Sequence, residues 1–353
     1  MREVHSHSHL WPGVPLALVS AVLFGATPPL SKLLLDTVHP FMLAGLLYLG
    51  AGIGLAIYRL VSGGARTDEA RLSRKDVPWL ALAIILGGVA GPVLLMSGLA
   101  LGKASDGALL LNLEGLATMA IAWLVYRENV DRRLLFGAAA ILAGAALLSW
   151  EGQGVALNTG ALLITGACVA WGLDNNFTRK ISAADPVVIA MLKGLVAGTV
   201  NIGLAVIAGA SFPVLPVIAG AAIVGFFAIG VSLVMFILAL RHLGTARTGA
   251  YYSLAPFIGA ALAVAMLGEP LTFRLLAAAV LMGVGLWLHL SERHAHWHDH
   301  DLLEHEHNHV HDEHHQHHHD GPVSEPHSHR HRHAPLRHQH PHYPDLHHRH
   351  GHG

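Results

Sequence analysis

The chain alternates between long apolar runs and short polar connections from Val14 to Ser291. A helix needs about 20 apolar residues to cross about 30 Å of hydrocarbon, because each residue adds 1.5 Å. Ten runs fit, near residues 14–35, 38–58, 78–101, 105–126, 134–150, 158–178, 186–209, 214–240, 248–267 and 272–290. The pattern predicts an all-α integral membrane protein with ten transmembrane helices and no soluble domain within the body.

Two of these runs contain helix-breaking residues. Pro28-Pro29 lies inside the first run and Gly91-Pro92 lies in the middle of the third. Proline removes a backbone donor and bends a helix, so we expect both helices to be interrupted. Interrupted helices often line the substrate sites of carriers, although a kink can equally serve packing.

The composition excludes several classes of protein. Charged residues make up 13% of the 353 residues, against about 25% in an ordinary soluble domain. This excludes a soluble enzyme and a nucleic-acid binder of the basic-patch type. The chain has no phosphate-binding loop, nucleophile elbow or HExxH motif, so we expect no enzymatic activity. A single cysteine, Cys168, excludes an intramolecular disulfide and a Cys-based zinc module.

Lysine and arginine in the short connections predict the orientation, because they concentrate on the cytoplasmic side. If the N-terminus is cytoplasmic, 14 of these residues fall inside and only Lys32, Lys103 and Arg274 fall outside. We therefore expect a multi-pass protein of the inner cell membrane whose N- and C-termini are both cytoplasmic.

The two halves of the body resemble each other, which predicts a five-helix repeat over 14–150 and a second over 151–291. The equivalent positions are Leu99-Ala100-Leu101 and Leu238-Ala239-Leu240, Glu128 and Glu269, Arg133-Leu134-Leu135 and Arg274-Leu275-Leu276, Phe24-Gly25 and Trp171-Gly172, and Ser31-Lys32 and Thr178-Arg179. Because each copy has an odd number of helices, the second must enter the membrane from the opposite side. Such inverted repeats are typical of alternating-access carriers, whose substrate site lies between the copies.

These motifs resemble those of the drug/metabolite transporter superfamily, specifically its EamA-type ten-span exporters. The resemblance rests on the aromatic-Gly pair followed by Lys or Arg in the first helix of each half. It rests also on a fourth-helix signature, here Leu111 to Glu128 and Leu254 to Glu269. The family usually has proline in this signature; the second copy keeps it as Pro256, whereas the first has Gly115. The resemblance implies a secondary-active transporter with two inverted five-helix repeats.

Several polar side chains fall inside the predicted membrane segments, where a charge costs at least about 2.5–3.5 kcal/mol. Glu114 lies about 12 Å into its helix. It is either a proton- or cation-carrying carboxylate or a packing residue that pairs with Asn112 or with a helix from the other half. Asp174 and Lys193 either form a structural ion pair or contact substrate. Glu128 and Glu269 fall at helix ends and are expected to be interfacial caps. The candidate pathway residues are Glu114, Asn112, Asp174, Asn175, Lys193, Trp171, Tyr251 and Tyr252, with Tyr48 and Asn201 as further polar neighbours.

A histidine-rich segment, residues 292–353, follows the body, and residues 1–13 repeat the pattern on a small scale. Alternate residues of an extended chain project to the same side, so neighbouring imidazoles could chelate one ion. Imidazole suits nickel, zinc and copper, with cobalt beside them. The candidate ligands are His294, His296, His298, His300, His305, His307, His309, His311, His314, His315, His317, His318, His319, His327, His329, His331, His333, His5, His7 and His9. With few apolar residues, the tail is expected to be disordered without metal; a pH sensor is the alternative to a metal site.

The function that follows joins the body to the tail. The resemblance extends to His-tailed members that confer nickel or cobalt resistance by efflux. It implies a tail that concentrates Ni, Co or Zn at the cytoplasmic mouth and a body that exports metal, with protons as the coupling ion. The body, however, has no internal histidine cluster, since His39, His242 and His289 lie near helix ends. An exporter of amino-acid-like metabolites with a metal- or pH-sensing tail, and a membrane-tethered metal buffer, therefore stay open, as does a homodimer.

Overall fold

The structure is a computed structural model of the 353-residue chain. It describes residues 13–62, 72–126, 132–150, 158–181, 184–236, 238–239, 248, 251–290, 295–300, 303–309, 327–333 and 336–341. Everything below concerns these residues.

The first half is a series of helices that is interrupted beside proline at two places and by the short turn at 111–112 at a third. The elements are α1 Gly13–Gly25, α2 Thr27–Leu35, α3 Pro40–Val61, α4 Val77–Ala83, a π-helical segment Ile84–Ala90, α5 Gly91–Leu101, α6 Ala104–Leu110, α7 Leu113–Tyr126 and α8 Arg132–Ser149. Prolines occupy the first turns of α2 and α5, where a missing N–H costs least. The first two interruptions therefore lie beside Pro28-Pro29 and Gly91-Pro92, as the sequence predicts.

The second half has a similar series. Its elements are α9 Thr159–Ile181, α10 Pro186–Ile207, α11 Leu215–Gly225, a second π-helical segment Phe226–Val231 that leads into helix at 232–236, α12 Ala255–Leu267 and α13 Phe273–Leu290. Each half thus carries a π-helical segment within the third of its predicted spans.

Helix is present within all ten predicted runs, and eight spans among the described residues are long and apolar enough to cross a membrane. The two others are α9, which has 23 residues but is not among the eight, and α12, which has 13. The body is therefore an all-helical multi-pass domain, and the tenfold crossing stays a prediction.

Equivalent helices of the two halves pack against each other. The pair α3 and α10 meet through glycines, because a Cβ on Gly194 would lie 2.7 Å from the Gly52 backbone nitrogen. The pair α8 and α13 meet in the same way, since a Cβ on Gly285 would lie 2.5 Å from the Gly137 carbonyl oxygen. Small residues allow close helix contact where lipid supplies no hydrophobic drive.

Four short strands are described in the histidine-rich tail. Strand β1, Ala295–His300, pairs antiparallel with β4, Leu336–Pro341, and β2, Leu303–His309, pairs antiparallel with β3, His327–His333. The remaining predicted ligands, His294, His311, His314, His315, His317, His318, His319, His5, His7 and His9, lie outside the described residues. Disorder of the tail without metal therefore stays a prediction.

Candidate functional site

The first π-helical segment, Ile84–Ala90, is held by side chains from three other helices. Tyr48 Oη and Trp171 Nε1 each donate to the Gly87 carbonyl oxygen at 2.9 Å. Asn201 Nδ2 donates to the Gly88 carbonyl oxygen at 3.0 Å. A π turn disturbs the regular backbone ladder, and buried carbonyls need partners. Helices α3, α9 and α10 therefore converge on one point of the third span.

Glycine at this point admits the neighbouring side chains. A Cβ on Gly87 would overlap the Asp174 carboxylate, and a Cβ on Gly91 would lie 2.6 Å from Trp171 Nε1. Since neither glycine has a side chain, α9 can approach the interrupted helix with its aspartate and tryptophan directed at the backbone.

Asp174 and Lys193 form an ion pair next to this interruption. Lys193 Nζ contacts Asp174 Oδ2, and the two side chains are 17% and 6% exposed. Thr178 Oγ1 donates to the other carboxylate oxygen at 2.9 Å. Each charge neutralises the other, which lowers the cost of keeping both inside a membrane protein.

Glu114 is half-buried at the start of α7 and has an uncharged partner. Asn175 Nδ2 donates to Glu114 Oε1 at 3.0 Å and lies 3.1 Å from Thr118 Oγ1. Thr118 Oγ1 in turn donates to the Glu114 backbone carbonyl at 2.9 Å. Among the side chains that the structure describes, no cation forms an ion pair with Glu114.

Asn112 does not belong to this network; the partner of Glu114 is Asn175, on a helix of the other half, which is the second of the two pairings that the sequence left open. Asn112 Nδ2 donates to the Leu109 carbonyl oxygen at 2.8 Å and lies 3.8 Å from Met282 Sδ. The short turn between α6 and α7 directs this amide back to its own helix end, toward α13.

The two neighbouring tyrosines of the predicted pathway, Tyr251 and Tyr252, make different contacts. The Tyr252 ring lies 5.5 Å from the Phe24 ring and 4.6 Å from the Phe236 ring, between centroids. Tyr251 instead packs on the small cluster around Ala17, beside α1. The structure therefore brings together Glu114, Asp174, Asn175, Lys193 and Trp171, whereas Asn112, Tyr251 and Tyr252 make their contacts elsewhere.

Sequence reasoning missed three members of the site: Gly87, Thr118 and Thr178. The two threonines had a usable signal, since each lies four residues after a membrane carboxylate, on the same helix face. Gly87 had no such sequence signal, because the chain is rich in glycine and only the close approach of Asp174 in the structure distinguishes Gly87 from the other glycines.

The described part of the body offers few soft metal ligands. In the described residues no group of three or more His, Cys, Asp or Glu side chains could hold a metal ion. His39 caps α3 by accepting from the Phe41 backbone N–H at 3.3 Å, and a ring nitrogen of His289 lies 3.0 Å from the Leu134 carbonyl oxygen. Cys168 is fully buried, with Sγ 3.6 Å from the Leu110 carbonyl oxygen. His242 lies outside the described residues.

Comparison with known proteins now gives the class of this helical body. The EamA-like transporter family matches residues 11–150 and again residues 158–291, so the chain belongs to that family. The two matches agree with the internal repeat, and they make the chain a multi-pass membrane transporter.

Two curated relatives cover most of the chain. One, named as an uncharacterized transporter of Methanothermobacter thermautotrophicus, is 29% identical over 299 residues, covering 79% of this chain and 86% of the relative. Another, named as a probable amino-acid metabolite efflux pump of Salmonella typhimurium, is 26% identical over 309 residues, covering 78% of this chain and 93% of the relative. A crystal structure that is 18% identical superposes with a TM-score of 0.58 over 78% of this chain and 96% of that chain, which shows the fold alone.

Proposed function

We propose that this transporter exports small organic zwitterions, of the amino-acid kind, and that Asp174, Lys193 and Glu114 line its substrate chamber. The Asp174–Lys193 pair carries this proposal, because it places one negative and one positive group side by side in a buried region, next to Gly87, where Tyr48 and Trp171 also bind. A zwitterion can exchange with such a pair: its ammonium group replaces Lys193 at Asp174, and its carboxylate replaces Asp174 at Lys193. The relative named as an amino-acid metabolite efflux pump supports the same substrate class.

The same arrangement disfavours a bare divalent metal in the chamber. Lys193 lies against Asp174 and would repel a second cation. Nickel and cobalt sites use imidazole nitrogen or thiolate sulfur as ligands. The described part of the body contains no cluster of three or more His, Cys, Asp or Glu side chains that could bind a metal ion.

Glu114 is the group that we assign to proton coupling. It is half-buried, and its described partner is the neutral Asn175 amide rather than a cation. A membrane carboxylate without a fixed counter-charge can take up a proton on one side and release it on the other. Export would then be coupled to proton entry.

A flux measurement in proteoliposomes tests the substrate class. The purified protein is offered a labelled amino-acid mixture, Ni²⁺, Co²⁺ or Zn²⁺ under an imposed proton gradient. We expect proton-driven movement of one or more amino acids, and at least about a tenfold loss in Asp174→Asn and Lys193→Gln, because each removes one charge that the substrate needs. Asp36→Asn, which neutralises an exposed carboxylate outside the chamber, should transport like the wild type. Flux of metal alone would overturn the proposal.

The histidine-rich tail supports a second candidate, a nickel or cobalt exporter. In the tail strands, histidines stand opposite histidines: His296 with His340, His298 with His338, His305 with His331, His307 with His329, and His309 with His327. Directly opposed residues of antiparallel strands are neighbours across the strand pair. We propose that this tail binds Ni²⁺, Co²⁺ or Zn²⁺, either as a sensor or as a concentrator of substrate.

Removal of residues 294–353 separates these two roles for the tail. If the body carries organic zwitterions, the truncated protein should lose Ni²⁺ binding in equilibrium dialysis and keep its amino-acid flux in metal-free buffer. If the body carries metal, truncation should raise the concentration of Ni²⁺ that half-saturates flux. The second result would replace the leading proposal.

A further inference from the structure

The connection between α12 and α13 binds the first turn of α6, which belongs to the other half. Glu269 Oε1 accepts from the Ala104 backbone N–H at 2.7 Å, and Glu269 Oε2 accepts from that of Ser105 at 2.9 Å. Arg274 adds a looser contact, with Nη2 3.8 Å from Asp106 Oδ2. These five residues, Glu269, Arg274, Ala104, Ser105 and Asp106, are called the outer clasp, following the predicted orientation.

The outer clasp explains a motif that the chamber does not use. Glu269 and Arg274 are the second copy of the repeated Glu and Arg-Leu-Leu pattern, whose first copy contains Glu128 and Arg133. Gly268, at φ 64°, ends α12 in the left-handed conformation and turns the chain so that Glu269 follows directly. The predicted cap at Glu269 is therefore a contact between the two halves.

A cavity of about 260 Å³ lies beside the clasp. Its lining includes Asp106 and Arg274 from the clasp, together with the apolar residues Leu110 and Ile164. Cys168 lies one helical turn beyond Ile164 on α9, where its Sγ contacts the Leu110 carbonyl and its exposure is 0%. The only cysteine of the chain is thus buried directly behind a residue of the cavity lining, Leu110.

The contacts of the clasp are of a kind that can open repeatedly. They are polar and peripheral, and the Arg274 and Asp106 side chains are 43% and 21% exposed. Exposed ion pairs contribute little stability, because water replaces them readily. The apolar glycine contacts between α3 and α10 and between α8 and α13, in contrast, can keep the halves together while one end separates.

We propose that the outer clasp is the outer gate of the transporter, closed in this conformation, and that it opens when substrate leaves. The inference rests on the proposed transport function, since a carrier must expose its site alternately at each face. It does not depend on which substrate is carried. By the sequence repeat, Glu128 is the counterpart of Glu269 at the opposite face; it lies outside the described residues and serves here only as a control variant.

Accessibility of Cys168 tests the gate without measuring transport. Intact cells carrying the full-length protein are treated from outside with a membrane-impermeant, charged thiol reagent, and the labelling rate is followed. We expect Glu269→Ala to raise the rate at least about tenfold, because it removes two charge-assisted hydrogen bonds that hold the closed state. Glu128→Ala, which changes the other copy of the motif, should not raise it, and Cys168→Ser should abolish labelling.

A second variant keeps the test decisive if Glu269→Ala does not fold. Arg274→Gln removes the looser ion pair with Asp106 and the exposed hydrogen bond from Nη1 to the Trp150 carbonyl oxygen at 2.8 Å, but leaves both Glu269 hydrogen bonds in place, so we expect a smaller increase of about two- to fivefold. Wild-type labelling rates in a folded Glu269→Ala or Arg274→Gln protein would overturn the gate, as would an equal increase in Glu128→Ala. The substrate proposal would stand or fall separately, on the flux measurement.

Discussion

The two five-helix halves share a backbone plan but differ in the charge that they place on it. The spacing that aligns Phe24-Gly25 with Trp171-Gly172 also aligns Thr27 with Asp174 and Ser31 with Thr178. In the second half, Thr178 donates to Asp174, and Asp174 pairs with Lys193. In the first half, Thr27 Oγ1 and Ser31 Oγ are buried, and neither has a hydrogen-bond partner among the described atoms.

The two π-helical segments also differ, because polar side chains bind the first and close glycine packing surrounds the second. Tyr48, Trp171 and Asn201 donate to the carbonyls of the first. The second follows Gly225, which packs on the Leu47 backbone, and contains Gly230, which packs on Ala51. The repeat therefore builds the scaffold, and departures from the repeat build the site, so equivalent substitutions in the two halves should have unequal effects.

The largest loss of stability and flux is expected at Asp174, where the second half carries a charge and the first half has the neutral Thr27. Asp174→Asn leaves Lys193 buried without its partner, which should cost about 3–5 kcal/mol of stability and abolish flux. The double variant Asp174→Asn with Lys193→Met should recover most of the stability and none of the flux, because it removes both charges. Unfolding in mixed micelles, read beside proteoliposome flux, measures the two quantities. A stable but inactive double variant supports a working ion pair; an active one contradicts it.

An intermediate effect is expected at the helix interruption. Gly87→Ala adds a methyl group where the Asp174 carboxylate lies, which should cost about 1–3 kcal/mol and reduce flux. Gly203→Ala is a matched control in α10, since nothing lies within 4 Å of its added Cβ, and it should be neutral or stabilising by up to about 1 kcal/mol. Thermal unfolding of both variants checks the contrast. Equal costs would show that the approach at Gly87 is not specific.

The smallest effect is expected at the first-half counterpart of Asp174. Thr27→Val replaces a buried hydroxyl that has no described partner by a methyl group of similar shape, so stability should change by about 0–1 kcal/mol in the favourable direction. Flux should stay within twofold of the wild type. Thr178→Val, which removes a hydrogen bond to Asp174, should instead destabilise by about 1 kcal/mol. Loss of flux in Thr27→Val would place the first-half hydroxyls in the pathway and contradict the proposed difference between the two halves.

The sequence predicts the scaffold well because a membrane imposes simple rules. Apolar runs of sufficient length must be helical, and Pro28-Pro29 and Gly91-Pro92 cannot continue a helix. The same reasoning singles out Glu114, Asp174 and Lys193, because charges in apolar runs are costly. These predictions use only properties of the chain itself.

Partner choice is less predictable, because it depends on how helices are rotated against one another. Asn112 is close to Glu114 in sequence, yet its amide faces the Leu109 carbonyl, while Asn175 from another helix reaches Glu114. Glu269 could be predicted as a cap, but only the fold shows that it caps a helix of the other half. The identity of the cargo depends on chemistry at contacts of this kind.

One consequence concerns how the chain enters the bilayer during synthesis. Helix α9 carries Asp174, Asn175 and Thr178, and although it has 23 residues it is not among the eight spans that are apolar enough to cross by themselves. The machinery that inserts nascent helices reads hydrophobicity, so α9 should insert poorly as an isolated segment. Its stable insertion in the membrane then depends on contacts with helices such as α5 and α7, which are translated earlier. The polar residues of α9 that belong to the proposed site thus also require that the first-half helices be in the membrane before α9 inserts.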